Sequence, residues 1–83
     1  MGALDYALKL LNNLVSDSLI SKSIKTVLEE IIEDLKDNKN LEIKISAALQ
    51  KIEDLASDPN LSTDIRTQMW SLTTLLENAL KEL

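Results

Sequence analysis

The most constraining feature of this chain is an internal repeat with an offset of 41 residues. Laid over segment 44–78 without a gap, segment 3–37 matches it at nine of 35 positions. The identical pairs are Ala7/Ala48, Leu8/Leu49, Leu14/Leu55, Ser16/Ser57, Asp17/Asp58, Ser21/Ser62, Ile24/Ile65, Thr26/Thr67 and Leu35/Leu76. A period near 40 residues is typical of repeats that consist of two helices. We therefore expect two homologous helical hairpins, over about 3–37 and about 41–83.

Apolar residues recur at intervals of three and four along four segments, which is the spacing of a helix with one buried face. The predicted helices cover about 3–15, 22–36 and 41–57, and the last helix opens at Ser62. No segment shows the sustained alternation that a half-buried strand requires. The inner face expected for the last helix consists of Ile65, Met69, Leu72, Leu76, Ala79, Leu80 and Leu83. The fold class predicted is all-α.

The connections between these helices are short and polar. Ser21 is a candidate N-cap, because its hydroxyl can accept a hydrogen bond from the first turn of the second helix. The structural turn of the second hairpin is expected at Asp58, Pro59 and Asn60, since proline cannot continue a helix. Asn40 tolerates a left-handed backbone and can cap the third helix.

Short connections make consecutive helices antiparallel, and four similar apolar faces bury most surface around one core. We predict an up-and-down four-helix bundle that forms a single domain over residues 1–83. The alternative is an open stack of two repeats, which would leave apolar faces in water. A core of this size rarely provides more than a few kcal/mol of stability, so self-association is a further expectation.

The shared features of a HEAT-type repeat are a leucine that closes the first helix, an Asp-Pro turn and an Ile-Arg pair that opens the second. They are represented here by Leu55, Asp58-Pro59 and Ile65-Arg66, and each hairpin resembles such a repeat. A second set of residues resembles the signature of an uncharacterised family of short archaeal proteins, over residues 45–77. That signature is represented here by Asp58-Pro59-Asn60, Ile65-Arg66-Thr67 and Trp70. The resemblance implies a four-helix up-and-down bundle in the archaeal cytoplasm and implies no activity.

Composition argues against catalysis. The chain has no histidine, no cysteine and one glycine, whereas acid–base catalysis most often uses histidine and phosphate-binding loops need glycines. We expect no catalytic residue, no cofactor and no metal centre with nitrogen or sulfur ligands. Helix 22–36 is rich in carboxylates, and Glu30 and Asp34, one turn apart, could hold Mg²⁺ or Ca²⁺. The simpler interpretation of this acidic run, which also includes Glu29 and Glu33, is a solvated face.

Charge and hydropathy bear on partners and location. The net charge is −5 with nine basic residues, whereas nucleic-acid binding normally requires a clustered basic face. Nucleic acid is therefore an unlikely partner. No apolar run approaches the roughly 18 residues of a membrane span, and segment 1–6 lacks the basic residues of a signal peptide. We expect a cytoplasmic protein that does not associate with membranes.

Trp70, the only tryptophan, is the leading candidate for partner binding. It follows Arg66 by one helical turn at the edge of the inner face, and both residue types are enriched at interface hot spots. The candidate binding residues are Arg66, Thr67, Trp70, Thr73 and Thr74. The alternative is that Trp70 fills a corner of the core. Lys25 and Glu29 occupy the positions of Arg66 and Trp70 in the first hairpin.

Two further structural hypotheses concern neighbouring residues. Arg66 could reach back to Asp58 or to the last carbonyls of the third helix, as Lys25 could reach Asp17. Tyr6 and Leu10 could form a dimer face together with Ile43 on the third helix. The function predicted is a non-catalytic protein-interaction or scaffolding module that associates with a protein partner or with its own copy. The alternative is a regulator that binds a small ligand or a divalent metal through the carboxylates of helix 22–36 or in a pocket between the hairpins.

Overall fold

The computed structural model describes residues 2–83 and contains four helices there. They are α1 (Ala3–Val15), α2 (Lys22–Lys36), α3 (Leu41–Ala56) and α4 (Thr63–Glu82). The described residues form no strand, which confirms the predicted all-α class. Met1, the first residue of the predicted 1–83 domain, lies outside the described residues.

The four helices form a closed ring. Helix α1 contacts α2 and α4, and α3 also contacts α2 and α4. An open stack of hairpins would leave α1 and α4 apart at its two edges, so their contact identifies the closed arrangement. The bundle measures 34 × 21 × 19 Å along its principal axes. The predicted up-and-down four-helix bundle is confirmed.

Every buried residue within 2–83 is apolar. Each helix contributes one stripe to this core, as the periodicity predicts. The fully buried large side chains are Leu11, Leu14, Leu28, Ile31, Leu35, Ile45, Ile52, Ile65, Met69, Leu72 and Leu76. The predicted place of Leu83 on the inner face of the last helix is wrong, because this residue follows the last turn of α4 and is 66% exposed. Leu80 is only half-buried against the core.

The turns inside the two hairpins repeat each other bond by bond. In both, a serine hydroxyl accepts a hydrogen bond from the N–H of the third residue of the following helix. An aspartate carboxylate accepts another from the N–H two residues after it. Ser21 Oγ accepts from Ile24 N–H (3.4 Å), and Ser62 Oγ accepts from Ile65 N–H in the same way (3.3 Å). Asp17 Oδ1 accepts from Leu19 N–H (2.9 Å), and Asp58 Oδ1 accepts from Asn60 N–H (2.9 Å). The N-cap predicted at Ser21 is confirmed, and the repeat in sequence corresponds to a repeat in hydrogen bonding.

The connection between the hairpins uses a different arrangement. Asn40 adopts the left-handed conformation (φ 56°, ψ 41°), as its residue type allows, but its side chain forms no capping bond. The predicted cap is wrong because a capping side chain normally requires an extended backbone at that position. Asp37 holds this turn instead. Its carboxylate accepts the N–H of Lys39 (3.1 Å) and pairs with the ammonium group of Lys44 (2.7 Å).

The ring closes at the chain ends through one polar contact. Ala3 N–H, in the first turn of α1, donates to Glu82 Oε1 near the end of α4 (3.1 Å). A carboxylate at this position satisfies an otherwise unpaired amide and complements the positive end of the α1 dipole. A Cβ atom at Gly2 would lie 3.0 Å from the same carboxylate oxygen, so a larger residue there would require the Glu82 side chain to shift by a few tenths of an ångström.

The hydrogen bonds from Lys44 and from the N–H of Lys39 lower the pKa of Asp37 below its usual value. A lowered folded-state pKa means that Asp37 stabilises the fold fully above its unfolded-state pKa of about 3.9. This contribution is lost as the pH falls through the lower folded-state pKa. We expect Asp37→Asn to lower the melting temperature at neutral pH, and we expect this difference from wild type to shrink below about pH 4. Thermal denaturation followed by circular dichroism across pH measures it.

Lys44→Met is the matched control for this prediction. It removes the main partner of Asp37, so it should weaken the same pH-dependent component while leaving the Lys39 N–H bond in place. If Asp37→Asn lowers the melting temperature equally at acidic and neutral pH, the carboxylate contributes nothing through its charge.

Candidate interaction surface

Trp70 lies on the outside of the bundle and is 60% exposed. Its neighbours in sequence explain this position. Met69 and Leu72 are fully buried, and Trp70 lies about 100° and about 160° from them around α4. The predicted lateral position is confirmed, and the alternative in which Trp70 fills a corner of the core is wrong.

The three threonines near Trp70 direct their hydroxyl donors into their own helix. Each hydroxyl donates to the main-chain carbonyl four residues earlier, a pattern available to threonine within helices. The bonds are Thr67 to Thr63 O (2.9 Å), Thr73 to Met69 O (3.0 Å) and Thr74 to Trp70 O (3.3 Å). Because these donors are already used, the face around Trp70 is less polar than its threonine content indicates.

Arg66 connects α4 to the end of α3. Its Nε donates to Ala56 O (3.1 Å), and its Nη2 donates to Asp58 O (2.7 Å). These carbonyls lie at or just beyond the C-terminal end of α3, where helix carbonyls lack partners and the helix dipole favours a cation. The predicted reach of Arg66 across the turn is confirmed. The acceptor at Asp58 is its main-chain carbonyl, while its carboxylate accepts the N–H of Asn60.

Lys25, the counterpart of Arg66 in the first hairpin, does not reproduce this contact. It forms no hydrogen bond to Asp17 and no ion pair within residues 2–83, so the parallel prediction for Lys25 is wrong. The lysine ammonium group lacks the planar, rigid fork of donors through which the guanidinium of Arg66 binds two carbonyls.

A cleft of about 340 Å³ opens between α3 and α4 beside Trp70. Its lining consists of Glu53, Ala56, Ser57, Trp70 and Thr73. We call this cleft together with Thr67 and Thr74 the Trp70 surface. The volume lies at the lower end of the range for ligand pockets, roughly 300–1,000 Å³.

The sequence prediction missed the α3 side of the Trp70 surface. The pattern that could have identified the α3 side is visible when the sequences of the two hairpins are compared. Ala56 corresponds to Val15, and Thr73 corresponds to Ile32, which is buried. Two bulky positions of the first hairpin are therefore occupied by smaller residues in the second, and the cleft lies between those smaller residues.

The other predicted face does not form as expected. Tyr6 is 50% exposed and lines a second cleft between α1 and α4, and Leu10 is half-buried near it on α1. Ile43 is also exposed, but it lies on α3, which does not contact α1. Because α1 and α3 are diagonal in the ring, the combined Tyr6, Leu10 and Ile43 face is wrong.

The carboxylates of α2 point to solvent, and two of them already have lysine neighbours. Asp34 lies 3.9 Å from Lys51 Nζ, and Glu33 lies 3.8 Å from Lys36 Nζ. Within residues 2–83, no three side chains of metal-binding type converge. The carboxylate arrangement therefore gives no support to a divalent-metal site on α2.

No helix within residues 2–83 combines the length and hydropathy that crossing a bilayer would require.

Comparison with known proteins places the chain in a family. The family model described as an uncharacterised protein family, UPF0147, matches residues 2–79. The chain belongs to UPF0147. The match includes the first hairpin as well as the second, so it extends beyond the 45–77 segment in which the resemblance is seen in the sequence.

The relatives of this UPF0147 protein are archaeal. A UPF0147 protein of Archaeoglobus fulgidus is 31% identical over 74 residues, which are 89% of this chain and 85% of that protein. One from Methanosarcina acetivorans is 31% identical over 71 residues, 84% of this chain and 73% of the relative. A Saccharolobus solfataricus relative is 28% identical over 72 residues, 86% and 81% of the two chains. Their names assign no activity.

A crystal structure of a protein of unknown function, MMP1188, has a similar fold. The TM-score is 0.80 at 25% sequence identity, and the alignment covers 90% of this chain and 86% of the other. The four-helix arrangement of this UPF0147 protein therefore also occurs in an experimentally determined structure.

The two hairpins provide a matched test of the Arg66 contact. Arg66→Met removes two hydrogen bonds from a charged, half-buried donor, so we expect a loss of about 1–2 kcal/mol in the free energy of unfolding. Lys25→Met makes an equivalent change in the first hairpin, where no such bonds exist, and should change stability by about 0.5 kcal/mol or less. Urea denaturation of both variants measures the difference, and equal losses would contradict the structural role of Arg66.

Proposed function

We propose that this UPF0147 protein is a non-catalytic protein-binding module that docks on a protein partner through the Trp70 surface. The observation that supports this function is an exposed tryptophan beside a cleft, the largest of the apolar side chains that lie exposed within residues 2–83. Tryptophan contributes much of the binding energy where it is enclosed in a pocket at the centre of an interface. An indole that is 60% exposed in the free protein gains that burial only upon binding.

The chemistry of the cleft favours binding over catalysis. Its hydroxyl groups belong to Ser57 and Thr73, and both donate to main-chain carbonyls, those of Asp54 (2.7 Å) and Met69 (3.0 Å). Activation of a hydroxyl as a nucleophile requires donation to a general base instead. Glu53 is the only carboxylate in the lining, and no hydrogen bond joins it to either hydroxyl among the described residues.

The rigid surroundings of Trp70 also support docking. Arg66 fixes the end of α3 against α4, and this contact sets the spacing between Ala56 and Trp70. A surface that is already ordered loses less conformational entropy when it binds. In this proposal Arg66 positions the cleft, while Trp70, Thr73 and Thr74 contact the partner. The proposed setting is the cytoplasm.

Substitution of Trp70 tests whether the residue is free to bind. Because Trp70 is mainly exposed, we expect Trp70→Ala to lower the free energy of unfolding by about 1 kcal/mol or less. Leu72→Ala, two residues away in the core, should cost about 2–5 kcal/mol. In a domain of this size, 1 kcal/mol corresponds to about 4–8 °C in melting temperature. If both variants melt equally early, Trp70 supports the fold and is not available to a partner.

Sedimentation velocity over a concentration series identifies which kind of partner the Trp70 surface accepts. Wild type is compared with Trp70→Ala, and Tyr6→Ala serves as the control because Tyr6 is an exposed aromatic residue on a different pair of helices. Self-association that Trp70→Ala abolishes and Tyr6→Ala preserves identifies a second copy of the chain as the partner. A monomer at all concentrations indicates a different protein. Association that is lost only with Tyr6→Ala would contradict the proposed surface.

A further inference from the structure

We propose that the segment bound by the Trp70 surface is a basic amphipathic helix, with one apolar side chain in the cleft and lysine or arginine residues beside it. This inference rests on the proposed function and adds the chemistry of the partner. It depends on the charges along the cleft and on the shape of the cleft. It also depends on the lack, among the described residues, of a sheet edge with which an extended peptide could pair.

The charges along the cleft are negative and without partners. Glu53 lines the cleft and is exposed, and it forms no ion pair within residues 2–83. Glu77 follows Thr73 by four residues, which places it one turn farther along the same side of α4. It is also exposed and forms no ion pair among the described residues. Arg66, a cation beside the cleft, donates to carbonyls of α3 and of the following turn instead.

The opposite side of α3 shows the contrasting arrangement. Lys44 pairs with Asp37 at 2.7 Å, and Lys51 lies 3.9 Å from Asp34, so the lysines of α3 face carboxylates of α2 and of the turn that follows it. The cleft side of α3 presents Glu53 without such a neighbour. Two lysines of α3 thus have carboxylate neighbours on that face, whereas Glu53, on the face that has the exposed tryptophan, forms no ion pair among the described residues.

This charge pattern favours a basic partner over a second copy of the chain. Two copies that met through the same surface about a two-fold axis would bring Glu53 and Glu77 of one protomer toward the same residues of the other. Like charges across an interface oppose association, and the net charge of −5 adds to the repulsion. A partner with lysine or arginine residues would instead be attracted to the cleft.

The shape of the cleft suits a helix. It follows the groove between α3 and α4, and the smaller residues Ala56 and Thr73 leave space there for one inserted side chain. A helix that lies in such a groove uses apolar anchors spaced three or four residues apart. An extended peptide would need an exposed sheet edge to pair its backbone, and the described residues contain no strand.

The first hairpin provides the blocking variant. Ala56→Val/Thr73→Ile introduces the residues that occupy the corresponding positions, Val15 and Ile32. These larger side chains should fill the cleft while Trp70 and both glutamates remain. We expect the variant to keep the wild-type circular dichroism spectrum and to bind at least about tenfold more weakly, as expected when a central contact is lost.

The probe is a phage-displayed library of 16-residue amphipathic helices with apolar anchors at helical spacing and randomised charged or polar residues between them. The library omits tryptophan and is selected on the wild type after depletion on Ala56→Val/Thr73→Ile. Emission from Trp70, the only tryptophan of the protein, then reports binding of the synthesised peptides through a shift to shorter wavelength. We expect the enriched helices to have a net positive charge and to bind more weakly as salt increases.

Charge variants test the role of the two glutamates. Glu53→Gln and Glu77→Gln should each weaken the selected peptide about two- to fivefold and reduce the dependence of binding on salt, as for exposed ion pairs. Glu29→Gln is the control, because Glu29 is an exposed carboxylate on α2 at the position equivalent to Trp70. Its peptide affinity should remain that of the wild type.

The outcomes separate this inference from the function on which it rests. If the enriched helices bind only when the cleft is open but are neutral or acidic, the proposed positive charge of the partner is wrong. The proposed binding function would then remain intact. Self-association through Trp70 would likewise overturn the basic partner, because the occupant would then be a second copy. If no helix distinguishes wild type from Ala56→Val/Thr73→Ile and the protein stays monomeric, both the inference and the proposed function fail.

Discussion

The contact between the first and last helices is the constraint on which the rest of this structure depends. When α1 packs against α4, the two hairpins close around one core in which every buried residue within 2–83 is apolar. Burial of apolar surface is the main favourable term in folding, and a domain this small has little of it to spare. A tryptophan left 60% exposed therefore withholds a large apolar side chain from a core that could use it. This cost supports the proposal that Trp70 binds a partner.

In the duplicated hairpin, the residues that form the turns differ from the residues that form the exposed surface. The serine caps and the aspartate turns have the same hydrogen bonds in both copies, so both hairpins fold with the same local geometry. The positions that form the cleft differ. Val15, Ile32 and Glu29 in the first copy correspond to Ala56, Thr73 and Trp70 in the second. Because the turns do not depend on these positions, the surface of one hairpin can change without loss of the fold.

The features that the sequence predicts correctly are those with local causes. The bounds of α1 and α2 and the cap at Ser21 depend on residues within a few positions of one another. The errors arise where the position or contact of a residue depends on a distant part of the chain or on the backbone conformation. Asn40 adopts a left-handed conformation and does not cap α3, and Ile43 lies diagonally across the ring from Tyr6. The cleft was missed for the same reason, since Glu53 and Trp70 belong to different helices and meet only in the assembled bundle.

The Arg66 contact and the cleft lie next to each other in the second hairpin, since both involve Ala56. In the first hairpin, the bulkier Val15 and Ile32 occupy the positions of Ala56 and Thr73, and Lys25 forms no contact like that of Arg66. Each buried CH₂ group contributes about 0.8 kcal/mol, so Ala56 and Thr73 bury less apolar surface than Val15 and Ile32 can. A hydrogen bond from a charged donor contributes about 1.5–3 kcal/mol, less where water competes. The two bonds from Arg66 therefore hold the end of α3 against α4 and, unlike bulky side chains, leave the space beside Trp70 open.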